Sequence, residues 1–481
     1  MRLLVILRTL GVLFLLFSTT LLPPIGVSII YGDGELGRFS MTFAIALVCG
    51  LGFWLPLHKR ADTIRSRDGF VIVALMWTAI SVLGAVPFWL ALDMSFADAF
   101  FEAASGYTTT GATVIVGLDE LSPSILFYRQ EIQWLGGIGV IVLAIALLPM
   151  LGIGGMQLYK AEIPGPFKSE KITPRIARTA RSVCVVYAAL TGICALSYWL
   201  AGMGPFDAIA HSLSTLSTGG YSTHDASIAY FDSRAIETVA IVFMLIGGIS
   251  FSTHFVVWRT LHARRYWQDS QARLFLSLVA VLTVLVGAVL YATGEAAEVP
   301  TALRYAAFEI VAVITTTGYG IADFSAWPLA LPVLLMFTGF LGGCAGSTAG
   351  GIKMIRFVIL GKQAGVHIQK LVHPQAVRRI KADGLVVPDS VIESIWGFFV
   401  VYVALFALLM IVVMMDGMDQ ITAFGAVATC INNLGPGLGD VAANFVSVSA
   451  FSKVVLAFAM LLGRLEIFTF LVLLTPAFWR R

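Results

Sequence analysis

Hydrophobic positions along this chain come in long unbroken blocks rather than in the alternating or one-faced patterns of water-soluble elements. Runs such as Phe70–Leu92, Val183–Leu200, Ala235–Val257 and Leu274–Tyr291 approach or reach the length a helix needs to cross a hydrocarbon layer about 30 Å thick. The pattern predicts ten spanning helices, near 4–30, 40–57, 70–92, 123–151, 180–202, 234–258, 274–293, 327–361, 391–416 and 449–478. The first has an apolar stretch longer than a signal-peptide core and no small-residue cleavage site, so it reads as a retained helix. Four further apolar stretches are too short to cross: Ser95–Tyr107, Pro205–Thr215, Thr301–Ile314 and Asp419–Ile431. As helices they would be about 16–21 Å long, about half the layer.

Each half-length stretch runs into a turn of Thr, Ser, Asn and Gly and then into another span. The turns read YTTTGATV (Tyr107–Val114), LSTGGYST (Leu216–Thr223), ITTTGYGI (Ile314–Ile321) and NNLGPGLG (Asn432–Gly439), and they align on Gly111, Gly219, Gly318 and Gly435. The chain thus divides into two extra N-terminal spans (1–66) and four repeats of helix, half-helix, turn and helix (67–160, 161–265, 266–381 and 382–481). The expected fold is an all-α integral membrane protein of ten transmembrane helices and four re-entrant pore helices with fourfold pseudo-symmetry.

A half-helix must be followed by backbone that lacks helical partners, and at membrane depth such backbone survives only where it is buried in protein or lines water. Four of these turns around one axis present carbonyl oxygens and the negative ends of four helix dipoles to a cation. The expected K⁺-binding filter residues are Thr109, Thr110, Gly111, Thr218, Gly219, Thr316, Thr317, Gly318, Asn433, Leu434 and Gly435. Asp98 and Asp207, near the starts of the first two half-helices, suit the positive dipole ends there.

These turns resemble those of the Trk/Ktr/HKT superfamily of cation transporters: a two-helix-plus-pore-loop unit repeated four times, with the glycine in TTTG, LSTGG, TTTG and NNLG. The two extra N-terminal spans resemble its TrkH branch, and the likeness covers essentially the whole chain. The resemblance implies potassium uptake across the bacterial inner membrane by a homodimer with one pore per protomer. In that superfamily a serine at the first filter glycine goes with sodium permeation. Position 111 is glycine, which implies potassium.

The eighth span is interrupted by Gly342-Gly343-Cys344-Ala345-Gly346-Ser347-Thr348-Ala349-Gly350-Gly351. A segment this rich in glycine is no stable helix, since each glycine costs about 1 kcal/mol relative to alanine. The tenth span carries Arg464, at a similar distance from the outer end, about 20 Å in. An intramembrane charge faces the bundle interior or a water cavity. Glu466, two residues on, points to a different face, so the carbonyls of the glycine-rich stretch are the candidate partners of Arg464. The resemblance implies that this stretch obstructs the permeation path and that the arginine lies beneath the filter. The expected gate is therefore Gly342, Gly343, Gly346, Ser347, Thr348, Gly350, Gly351 and Arg464.

Composition and charge sharpen this picture. Of 481 residues, 58% are apolar and 12% charged, half the charge of an ordinary soluble domain. Of 31 Lys and Arg, five (Arg38, Arg129, Arg234, Arg304 and Lys453) fall in expected outer segments and Arg464 lies in a span; the rest sit in expected inner loops and tails. Both termini are therefore expected in the cytoplasm, and the acidic residues lean to the outer side. Five cysteines and seven histidines form no metal-ligand spacing, and His211 reads as a packed helix residue. No phosphate-binding motif is present, and the chain ends just after its last apolar run, leaving no room for a cytosolic domain. Regulation is expected from outside the chain. The resemblance implies a separate cytosolic ring of nucleotide-binding subunits, responsive to ATP/ADP or NAD(H), and the basic segments Lys160–Arg181, Arg259–Arg273 and Lys353–Lys381 are its expected dock. No cofactor beyond K⁺ in the filter is expected, and no nucleic acid. A second reading is a potassium symporter coupled to H⁺ or Na⁺, for which Glu466 is the candidate carboxylate. No nucleophile, metal cluster or carboxylate pair argues for an enzyme.

Overall fold

In a computed structural model of the chain, residues 3–59, 66–142, 172–375, 379–383 and 385–480 are described. The inner end of the span expected at 123–151, the repeat boundary at 160/161 and most of the basic segment Lys160–Arg181 lie outside them. Two antiparallel N-terminal helices, Leu3–Thr20 and Leu36–Trp54, flank a shorter one at Leu22–Tyr31. Their backbones approach closely at glycines: a Cβ on Gly11 would stand 2.7 Å from the Trp54 nitrogen, and one on Gly50 2.9 Å from that of Leu15. Small residues at helix crossings serve this purpose in membranes, where lipid supplies no hydrophobic drive between helices.

The half-length helices are present at Phe96–Tyr107, Pro205–Leu216, Val299–Ile314 and Gln420–Asn432. Their filter-side halves are almost wholly buried, Phe101, Ala103, Ala104, Ile310, Ala312, Val313 and Ala426 to fewer than one or two per cent exposure. The long helices Ser66–Ala91, Ile172–Leu200, Ser270–Ala292 and Asp389–Met415 precede them. The last is apolar on every side and leaves Val400, Val403, Leu408 and Ile411 uncovered, as a lipid-facing helix does.

Among the described residues six helices are long and apolar enough to cross a membrane, or eight if two bent pairs each count as one span. The bends differ from the straight spans expected. Arg234–Gly248 meets Phe251–Thr260 at 100°, and Ala450–Arg464 meets Phe468–Leu474 at 114°. In the third repeat the equivalent helix stops at Leu341 and resumes at Met354. Three repeats therefore break their second helix, and the glycine-rich stretch is the longest of three interruptions. Among the described residues the one strand pairing is a two-residue antiparallel one, Lys381–Ala382 with Leu385–Val386, in the connection before Asp389–Met415.

Candidate functional site

Each half-helix ends in the same way. Thr109 sits at φ +54°, Thr218 at +53°, Thr316 at +56° and Asn433 at +55°. The next N–H folds back to the carbonyl of the last helical turn: Thr110 to Ser105 (2.8 Å), Gly219 to Ser214 (2.9 Å), Thr317 to Ala312 (2.8 Å) and Leu434 to Thr429 (2.9 Å). This is the Schellman arrangement, but with threonine or asparagine where glycine is usual. A β-branched residue in the left-handed region is strained, and such strain persists where surrounding structure over-determines it, typically at functional sites.

The bonding sets the register of the repeats. Gly219 is the counterpart of Thr110, Thr317 and Leu434, so the second-repeat glycine equivalent to Gly111 and Gly318 is Gly220. Its φ of +80° matches their +84° and +77°. The alignment on Gly219 is thus one residue short, and Gly220 is a site residue that the sequence reading missed. The two adjacent glycines made either register possible, and the left-handed Thr218 decides between them.

The four turns close into a ring. A Cβ on Gly111 would press on the Gly219 carbonyl, and one on Gly220 on the Thr317 carbonyl. One on Gly318 would lie 3.0 Å from the Gly435 nitrogen, and one on Gly435 3.1 Å from the Gly111 carbonyl group. Glycine is required at Gly111 and Gly220 twice over, by positive φ and by contact with a neighbouring strand.

Buried side chains hold the ring from behind. Thr108 and Thr110 share a hydroxyl hydrogen bond of 2.7 Å, matched by Thr315 and Thr317 at 2.8 Å. Asn433 donates to the Thr110 hydroxyl at 3.1 Å. The Gln133 amide donates to the Gly219 carbonyl at 2.7 Å and accepts from the Ser214 hydroxyl and the Tyr221 N–H. Arg129, expected in an outer segment, is instead 1% exposed. It donates to Glu102 at 3.0 Å, Thr113 at 3.0 Å and the Ser222 carbonyl at 3.2 Å, with its guanidinium 4.2 Å from the Tyr221 ring centre. One buried ion pair thereby ties the first repeat's returning strand to the second's. Asp98 accepts from the Ser95 hydroxyl and from Lys453 (2.7 Å each), so its place at the helix start is shared with an ion pair.

The glycine-rich segment Gly342–Gly351 packs directly against the ends of the half-helices. Thr348 donates through its hydroxyl to the Leu216 and Gly247 carbonyls (3.0 and 3.1 Å), the Gly350 N–H to the Thr316 hydroxyl (2.7 Å) and the Gly351 N–H to the Asn432 carbonyl (2.9 Å). The Cys344 N–H reaches the Gly248 carbonyl at 2.9 Å, at the break of the second repeat. Ser347 turns back to the Cys344 carbonyl. A Cβ on Gly350 would collide with the Asn432 carbonyl, and Gly342 sits at φ +66°. Arg464, 5% exposed, donates one Nη to the Thr348 carbonyl at 2.8 Å, the class of partner expected for it. Its Nε and other Nη are buried without a partner among the described residues. Glu466 pairs instead with Arg356 at 2.8 Å, and Arg356 stacks 4.0 Å over Phe398. Lys353 donates to the Ala349 carbonyl. The site thus groups the carbonyls and hydroxyls of the four turns with the cationic side chains Arg464, Arg356 and Lys353 on the elements packed against them.

A family model described as a cation transport protein, TrkH, matches residues 36–481. Relatives named Trk system potassium uptake protein TrkH are 48% identical in Halomonas elongata over 100% of both chains, and 47% in Escherichia coli K12 over 98% of each. The crystal structure of the potassium transporter TrkH from Vibrio parahaemolyticus matches with a TM-score of 0.93 at 47% identity, covering 100% of both chains. The chain belongs to the TrkH family of cation transport proteins, a family of membrane transporters and not of enzymes.

Proposed function

We propose that this chain takes up potassium across the bacterial inner membrane through a channel-like pore whose selectivity filter is the ring of four turns. The observation that carries the reading is the shared strained ending of the four half-helices, closed glycine to glycine around one axis. The filter residues are those expected from the sequence, with Gly220 added. Glycine at Gly111 supports potassium over sodium, and the names of the relatives support potassium uptake. Ten spans and four re-entrant helices, with both termini cytoplasmic, accord with the charge asymmetry of the loops.

Beneath the filter the segment Gly342–Gly351 is the gate, and Arg464 is a fixed positive charge beside the path. The breaks at Gly248 and Arg464 supply the room that the segment occupies. The protein works as a homodimer, and its relatives are named as parts of a Trk system, which supports a separate regulatory subunit. That subunit is cytosolic, binds ATP/ADP or NAD(H), and docks on the basic inner segments, of which Arg259–Arg273 and most of Lys353–Lys381 are described.

Reversal potentials of the purified protein in liposomes test the reading. The potential is expected to follow the K⁺ gradient and to ignore imposed pH and Na⁺ gradients; a potential that moves with either would favour coupled transport. One observation favours that second reading. Glu131, on the helix Pro123–Val142, is 7% exposed with one carboxyl oxygen lacking a partner, so Glu466 is not the sole candidate coupling carboxylate.

A further inference from the structure

The same position in each half-helix reaches across to the strand that returns from the filter. In the first repeat Glu102 accepts from the Val114 N–H at 2.9 Å and from the Thr113 hydroxyl. In the second His211 takes the place, bonding the Asp207 carbonyl through Nδ1 and the Ser222 hydroxyl through Nε2, both at 2.9 Å. Nδ1 donating to the carbonyl leaves Nε2 free to accept from the serine hydroxyl, so a neutral ring satisfies both bonds. In the third Glu309 accepts from the Ile321 N–H at 2.9 Å and the Ala322 N–H at 3.1 Å. In the fourth the position is Ala426, and the strand bonds within itself, Gly437 N–H to the Val441 carbonyl.

The four positions differ in charge. The Glu102 carboxylate is paired with Arg129, His211 brings no carboxylate and Ala426 carries nothing. Glu309 is 1% exposed and has two amide donors but, among the described residues, no paired cation. Asp323, exposed on the same returning strand, follows directly after Ala322, whose amide is one of the two that Glu309 holds. Of the elements packed against the third half-helix, Arg234–Gly248 brings Glu237, which is held by Arg304 at 3.0 Å. Ser270–Ala292 bears its one charge, Arg273, at its far end, and Leu331–Leu341 bears none. A buried carboxylate without a counterion either takes a proton or is offset by a mobile cation, and on the filter reading the transported ion is the mobile cation available to this one.

We propose that Glu309 is a positioning residue for the outer filter and the point where external protons act on it. Ionised, it gathers the Ile321 and Ala322 amides and adds uncompensated negative charge behind the third turn, favouring K⁺ there. Protonated, it loses that charge, so acid outside weakens K⁺ occupancy. The inference rests on the filter reading above.

The test is the KM for K⁺ influx in proteoliposomes against external pH. Both amides bond the same Glu309 oxygen, so Glu309→Gln keeps an acceptor for them and removes only the charge. In the unsubstituted protein KM is expected to rise about tenfold from about pH 8.5 to about pH 5.5. Glu309→Gln should hold the acid-side KM at every pH. Asp323→Asn should move the midpoint of the profile toward acid, and His224→Gln, at a partly exposed imidazole beside Asp119, should leave the profile alone. A flat profile in the unsubstituted protein, a retained slope in Glu309→Gln, an unmoved midpoint in Asp323→Asn or a lost slope in His224→Gln would each overturn the proposal. Failure of the filter reading would show separately, as an unchanged ion ratio in Gly111→Ser.

Discussion

The ring of four turns and the layer just beneath it are built from the same residues, glycine and threonine, to opposite ends. In the ring each strained residue is locked by a helix-end hydrogen bond, a neighbouring strand and buried side chains such as Gln133, Arg129 and Asn433. In the layer beneath, three second helices are broken, the non-helical Gly342–Gly351 is tied to Leu216, Gly247, Gly248, Thr316 and Asn432, and Arg464 keeps two nitrogens unpaired among the described residues. One region is over-determined and holds a fixed geometry. The other is buried and hydrogen-bonded but lacks a repeating helical ladder, and it leaves donors of the buried Arg464 guanidinium unpaired among the described residues.

The comparison breaks most severely at Arg129. Arg129→Gln leaves Glu102 charged and buried, a loss of about 3–5 kcal/mol, and should lower the melting temperature and the yield of folded protein in detergent. A glycine pair gives the next effect. Gly220→Ala drives a methyl group into the Thr317 carbonyl, whereas a Cβ on Gly219 meets only the side chain of Gln133. K⁺ uptake should fall about tenfold or more in the first and clearly less in the second; equal losses would contradict the one-residue shift in register.

That register shows where the sequence was legible and where it was not. Half-length apolar stretches followed by Thr-Gly turns have no other home at membrane depth, so the repeats and three of the four glycines could be read directly. Tandem glycines in LSTGG left a one-residue ambiguity that only backbone dihedrals resolve. The break at Gly342–Gly351 declares itself by composition, but those at Ile249 and at Leu465–Ile467 are short, with only Gly247, Gly248 and Ser250 and Gly463, Arg464 and Glu466 as signals inside long apolar runs. The ion pair of Arg129 was not legible because its partner Glu102 lies on another helix, 27 residues away in sequence. Arg464 was read to its class of partner because a buried guanidinium beside a helix-free segment has few acceptors other than carbonyls.

Loosening the lower layer should act in the opposite direction. Deleting several residues within Gly342–Gly351 should raise K⁺ flux and lessen dependence on the cytosolic subunit, measured as ⁸⁶Rb⁺ uptake with and without that subunit. Unchanged or lower flux in folded protein would count against a gate. The smallest expected change is at Arg464. A unit charge 4 Å from an ion at an effective dielectric of 20 costs about 4 kcal/mol, an upper figure that water and multiple ions soften. Arg464→Ala and Arg464→Gln should raise flux while Arg464→Lys stays near the original. If Arg464 is instead a brace for the Thr348 carbonyl, the neutral variants should lose thermal stability and gain no flux.

The central claim, that the ring of turns selects the ion, is met most directly at Gly111, where a Cβ would press on the Gly219 carbonyl of the next repeat. The measurement is the K⁺/Na⁺ permeability ratio of Gly111→Ser, from reversal potentials in liposomes, on protein whose melting temperature shows it folded. The account predicts that the ratio falls toward unity while cation flux persists. A ratio equal to that of the unsubstituted protein would contradict it.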